Sequence, residues 1–131
     1  MINIIQKLWC QDRLPIIDGL YKMNGLYYQL INNKVVTADL PQKDYSKWYS
    51  DICVTAQIKH QDIIYCCGEG SWGSDGYVIA LKNDIVQWLF FGDLNPLIKL
   101  WINDNDLHVL NNCEVEWIIP IAEPERAFIK V

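Results

Sequence analysis

The sequence predicts a mainly β fold, a β-rich α+β chain arranged as an antiparallel meander or sandwich of about seven to nine strands with one or two short helices. Three observations lead there. From residue 51 onward, apolar and polar residues alternate over strand-length segments. Asn, Asp and Gly clusters separate those segments at regular spacing, which signals a meander or sandwich rather than βαβ units. The hydrophobic share is 51%, with six Trp and seven Tyr, so there is enough apolar area to bury a core.

The elements follow in order. Residues 26–31 and 34–39 read as a hairpin with Asn32-Asn33 at its turn. Tyr45, Trp48 and Tyr49 at i, i+3 and i+4 predict a short helix within residues 41–50. Ile52, Val54, Ala56 and Ile58 then alternate with Cys53, Thr55, Gln57 and Lys59 in a strand, and His60-Gln61-Asp62 turns the chain into residues 63–67. A glycine-rich loop leads to strands 77–81 and 85–91, joined at Lys82-Asn83-Asp84. Residues 92–96 break the chain before strands 97–102, 107–110 and 113–121, with turns at 103–106 and Asn111-Asn112. In this pattern Ile98, Leu100 and Ile102 face the core and leave Lys99 and Trp101 outside. Likewise Cys113, Val115, Trp117, Ile119 and Ile121 face inward, with Glu114 and Glu116 in solvent.

The length suits one domain, residues 1–131, folding without staples. No segment reaches the roughly 18 continuous apolar residues of a membrane-spanning helix, and the N-terminus lacks a basic leader and a small-residue cleavage site. Five cysteines in such a chain point to the reducing cytoplasm. They read as small buried hydrophobes, with Cys66 and Cys67 on opposite faces of one strand. No CxxC pair exists and the two histidines are far apart, so neither zinc nor any other cofactor is expected.

Charge is asymmetric. Residues 1–60 carry five acids and seven bases, whereas residues 61–131 carry eleven acids and four bases, within a total of −5. An acidic half repels nucleic acid and attracts basic proteins; plain solubility is the other explanation.

Candidate catalytic motifs fare poorly. Residues 68–73 match GxGxxG, but the following residues 77–81 form a strand, and Glu69 and Asp75 would repel a phosphate. The glycines read instead as suppliers of positive φ in a hairpin-like connection. His60 lies in a turn with Lys59 and His108 alternates along a short strand, and the acids crowding the second half make a poor phosphate site; Ser71 lacks the GxSxG elbow. Residues 103–106 alternate oxygen ligands but lack the glycine and distal glutamate of a calcium loop. No enzyme is indicated. A generic acidic interaction or regulatory β domain, or a small-molecule binder, stays open as an alternative.

Residues 68–81, Gly-Glu-Gly-Ser-Trp-Gly-Ser-Asp-Gly-Tyr-Val-Ile-Ala-Leu, with Val86-Gln-Trp-Leu-Phe-Phe91 and Asn95-Pro96, resemble a pattern of small bacterial immunity proteins from contact-dependent growth-inhibition and polymorphic-toxin systems. The resemblance spans residues 68–96. It implies a cytoplasmic antitoxin, monomeric by preference, that blocks the C-terminal toxin domain of a cognate effector, often a cationic RNase-like nuclease. No nucleic acid or membrane partner is implied. On this reading Glu69, Trp72, Asp75, Asp93, Trp101, Asp104, Asp106, Glu114 and Glu116 form the partner-binding face, acids steering and Trp anchoring.

Overall fold

In a computed structural model of residues 1–131, helix α1 (Ile2–Trp9) precedes β1 (Arg13–Pro15), β2 (Gly19–Lys22), β3 (Tyr27–Ile31) and β4 (Lys34–Thr37). A meander follows: β5 (Tyr49–His60), β6 (Ile63–Gly70), β7 (Gly76–Lys82) and β8 (Ile85–Gly92). The chain ends with β9 (Leu97–Asn103), β10 (Asp106–Asn111), β11 (Glu116–Pro120), a 3₁₀ turn at Pro124–Arg126, and β12 (Phe128–Ile129). The mainly β, antiparallel expectation is met. Twelve strands are present rather than nine because β1, β2 and β12 are pieces of two to four residues, too short to show a period. No helix is long and apolar enough to cross a membrane.

The strands form two antiparallel sheets. The larger runs β1-β5-β6-β7-β8-β2-β3-β4, and the smaller runs β12-β11-β10-β9. β7 is buried at every position from Gly76 to Leu81. On one face Tyr65, Cys67, Val78, Ala80, Trp88 and Phe90 pack against Leu100, Leu107, Val109, Trp117 and Ile119 of the small sheet. On the other, Cys66, Tyr77, Ile79, Leu89 and Phe91 pack under Ile5 of α1, Leu14, Ile17 and Tyr45. Three layers result, with the meander in the middle. Cys66 and Cys67 do take opposite faces, but Cys10, Cys53 and Cys113 are exposed, because they fall in loops or at the rim of β5.

The turns use left-handed Asn and Asp. Asn32-Asn33 (φ 50° and 63°), Asn83-Asp84 (50° and 63°) and Asp104-Asn105 (52° and 62°) are two-residue connections with both φ positive, which matches the right-handed twist of hairpin strands. Asn111 is buried; its Nδ2 donates to the Leu94 carbonyl, while its Oδ1 accepts from the Cys113 and Val115 amides.

Three sequence expectations are corrected. Residues 41–50 make a single turn, in which the Lys47 and Trp48 amides donate to the Asp44 carbonyl, and the chain enters β5 at once; the helix lies at Ile2–Trp9 instead. A register shift between Leu110 and Asn111 rotates the start of β9, so Leu97 is buried and Ile98 exposed. The last strand begins only at Glu116, and Cys113 and Glu114 belong to the turn before it, with Glu114 at φ 64°.

Beyond β1, which pairs with Tyr49, Ser50 and Asp51, and the bond from the Ile52 amide to the Asp12 carbonyl, the outer edge of β5 has no backbone partner. Lys22 Nζ meets both carboxylate oxygens of Glu125 at 3.0 Å, tying β2 to the C-terminal turn. Trp117 lies edge-on to Phe90, ring centroids 5.7 Å apart, between the two sheets. Its truncation to Ala is expected to cost ~3–5 kcal/mol, read as a lower urea midpoint with unchanged slope; a shift under ~1 kcal/mol would mean that the small sheet docks without it.

Candidate functional site

The connection from β6 to β7, residues 71–75, is held from two sides. The Ser71 amide donates to Ser50 Oγ at 2.8 Å, and Ser50 Oγ donates to the Asp51 carbonyl at 2.8 Å. On the other side the Asn95 amide donates to the Ser74 carbonyl at 2.8 Å, and the Asp75 amide closes a turn onto the Trp72 carbonyl at 3.0 Å. Gly68, Gly70 and Gly76 act by close approach, not by positive φ, which only Gly25 has; Gly73 faces open space. A Cβ on Gly68 would lie 1.9 Å from the Cys53 carbonyl oxygen, and one on Gly76 would lie 2.2 Å from that of Asn95. These positions are small because neighbouring backbone passes over them.

This pinned loop carries Trp72, 69% exposed, toward Trp48, 48% exposed. Between them lies a cleft of about 470 Å³ lined by Ile16, Lys47, Trp48, Tyr49, Trp72 and Asp75. The Ile16 amide donates to the Trp48 carbonyl at 3.1 Å and fixes one wall. Lys43 Nζ sits 4.4 Å from the centre of the Trp48 ring. Asp75 is half-buried, and its Oδ2 is fully enclosed without a hydrogen-bond partner, packed beside Gly70 and Ser50. Burial pushes the Asp75 carboxyl up from its ordinary value; a hydrogen bond from the Trp72 backbone opposes this, and the charges of Asp18 and Asp93 raise it further. Asp18, Asp75 and Asp93 therefore share one end of the large sheet.

The nine residues expected to form one face are divided. Trp72, Asp75 and Asp93 come together there, and Glu69 is exposed on the adjoining end of β6. Glu114 sits on the turn beside Pro96, whose carbonyl accepts from the Asn112 amide at 2.9 Å. Asp104 lies in the β9–β10 turn and Asp106 at the start of β10, at the opposite end of the small sheet from Leu97. Trp101 and Glu116 lie on the outer face of that sheet and are already engaged. The Trp101 ring stacks on His108, centroids 5.3 Å apart and 12° between planes, with Lys99 Nζ 5.4 Å from its centre. Glu116 Oε2 is 3.0 Å from His108 Nδ1 and 3.8 Å from Lys130 Nζ. Cross-strand neighbours absorb both residues, a pairing that strand alternation cannot reveal before the register is known.

Sequence reasoning missed Trp48, Ile16 and Asp18. Trp48 was assigned to a helix face, and nothing local marks Asp18, at φ 49°, as a neighbour of Asp75.

No protein family, curated protein or solved structure matches this chain. The class is therefore set by architecture: a two-sheet antiparallel β protein with one flanking helix and an aromatic cleft at one sheet end.

Folded Asp75 holds its proton to higher pH than the unfolded chain does, so stability falls as pH rises from the ordinary carboxylate value through the raised one. Asp75→Asn is expected to stabilise the protein at pH 7 and to lose that gain in acid below the ordinary carboxylate range, as read by urea unfolding at both pH values. An equal effect at both would contradict the burial argument.

Proposed function

We propose that this chain is an immunity-type inhibitor: a bacterial cytoplasmic antitoxin that neutralises a cognate, cationic, nuclease-like toxin domain by protein–protein contact at the Trp48–Trp72 end. The observation that carries the reading is Trp72, 69% exposed on a loop anchored at both ends. A large aromatic held out on a rigid support loses little conformational entropy on docking, the property of an interface anchor. Asp75 lines the cleft beside it, Asp18 and Asp93 lie near enough to act on Asp75, and Glu69 is exposed at the adjoining end of β6. Such a charge set steers a basic partner and penalises an acidic one. The stretch that resembles immunity proteins, residues 68–96, also builds this loop and its Asn95 support.

A second reading has one observation in its favour: the cleft volume of about 470 Å³ falls within the range of small-ligand sites. Salt separates the two, because a basic protein partner is released at high ionic strength and a neutral ligand is not.

The test is affinity capture by the tagged chain from its native host at graded salt. One basic protein or fragment is expected to be retained at low salt and released at high salt. Trp72→Ala should weaken that capture by ~2 kcal/mol, about thirtyfold. Lysine at both Asp18 and Asp93 should slow association and flatten its salt dependence, whereas Asp104→Lys, at the far end, should change neither. Capture of no stoichiometric partner at low salt, or binding indifferent to Trp72→Ala, would overturn the proposal.

A further inference from the structure

The cleft itself has a chemistry more specific than general acidity. Trp48 and Trp72 supply two indole faces, the side chains that attract cations most strongly through the ring quadrupole. Asp75 lines the same cleft and is the carboxylate in it. Asp18 and Asp93 lie close enough to act on its charge. The chain already holds one example of the contact, Lys43 Nζ at 4.4 Å from the Trp48 ring centre, while Trp72 is the most exposed of the chain's tryptophans. Lys47 on the rim and Lys43 on the Trp48 ring are opposing charges, so an incoming cation shares the carboxylate with the first and displaces the second from the Trp48 ring or shares the ring with it.

We infer that the Trp48–Trp72 cleft is a receptor for a single cationic side chain, a lysine presented by the partner, with its ammonium between the indoles and Asp75. This rests on the reading of this end of the sheet as the partner-binding face. Lysine suits the cleft better than arginine. The guanidinium fork draws its advantage over an ammonium from engaging both carboxylate oxygens, and Oδ2 of Asp75 is enclosed beside Gly70 and Ser50, which leaves one oxygen at most for the cleft. An ammonium is a point charge and needs only one. Its aliphatic stem would lie along Ile16 and the indoles, as long charged side chains do on apolar surfaces. The enclosed carboxylate also gives the site a reason to exist at a cost in stability: a cation restores the interaction that burial and the neighbouring acids remove.

The experiment titrates the full isotope-labelled chain with N-acetyl-lysine methylamide, following tryptophan indole and backbone amide resonances. Parallel titrations use the norleucine analogue, which keeps the stem and lacks the charge, and the arginine analogue. The lysine probe is expected to shift the Trp48 and Trp72 indole signals saturably, at millimolar concentration. The norleucine probe should bind about fivefold or more weakly, the ratio that one cation–aromatic contact supplies, and the arginine probe should also bind more weakly than lysine, because its fork finds only one carboxylate oxygen. Asp75→Asn, whose retained spectral dispersion shows that it folds, should lose the preference for lysine over norleucine. Equal shifts by lysine and norleucine, shifts confined to other tryptophans, or an unchanged preference in Asp75→Asn would overturn the inference. A stronger response to the arginine probe would overturn the choice of lysine. A chain that captures a basic partner through Trp72 yet ignores the lysine probe removes this cleft assignment and leaves the partner reading standing. A chain that takes the probe and captures no partner does the reverse.

Discussion

Burial of the β6–β7–β8 ribbon on both faces is the constraint from which the rest of the architecture follows. A strand with apolar side chains on both sides cannot face water on either, so the sheet must be covered twice. The small sheet supplies one cover through Leu107, Val109, Trp117 and Ile119, and α1 with the segment after it supplies the other through Ile5, Leu14 and Ile17. Neither cover is large. The Lys22–Glu125 pair and the Asn111 hydrogen bonds show how the small sheet is tied in register with the large one. Both pairs of groups are satisfied where they are withdrawn from water, as such groups must be.

That constraint also places the functional end. Only where the ribbon's strands terminate can polar side chains gather without breaking a core, and this is where Trp72, Asp75, Asp93 and Asp18 meet. The glycines at positions 68 and 76 let the backbones of Cys53 and Asn95 pass close, so the loop is packed against its neighbours rather than draped over them. Tyr77 follows directly, buried with its hydroxyl unpartnered, which places a second unmet polar group behind the first. Unmet polar groups at one end of a well-packed sheet are the pattern expected where stability has been traded for binding.

Much of the fold was legible in the sequence, and the reasons are local. Alternation over residues 52–59 and the Asn and Asp turns at 32–33, 83–84 and 104–105 carry their own geometry, since period and left-handed backbone are properties of short segments. The glycine-rich stretch at residues 68–76 was read as loop, whereas β6 runs on to Gly70 and β7 begins at Gly76, and its glycines were misread because positive φ and close approach demand the same residue and only the packed structure tells them apart. The site was half legible. Trp72 and Asp75 are neighbours in sequence, but Trp48 and Asp18 reach them only through the β1–β5 and β2–β8 pairings. Trp101 and Glu116 were chosen for pointing outward. Outward they do point, onto a sheet face where His108 and Lys130 were waiting.

The β2–β8 pairing has a kinetic consequence. Gly19 meets Phe91, about seventy residues later in the chain, whereas β5 through β8 are joined by short turns. Pairing strands that distant requires closing a long loop first, with an entropy loss that grows as the logarithm of its length. Local hairpins are therefore the quick part of folding, and insertion of the N-terminal hairpin beside β8 the slow part. During synthesis the first fifty residues leave the ribosome with no completed sheet to join, and β8 emerges with an open edge. Asp18 belongs to the latecomer and Trp72 and Asp75 to the early meander, so the cleft takes its Ile16–Trp48 wall from the β1–β5 pairing and gains its acidic neighbour only with the last long-range step. The full negative charge at this end is therefore in place only once β2 has joined β8.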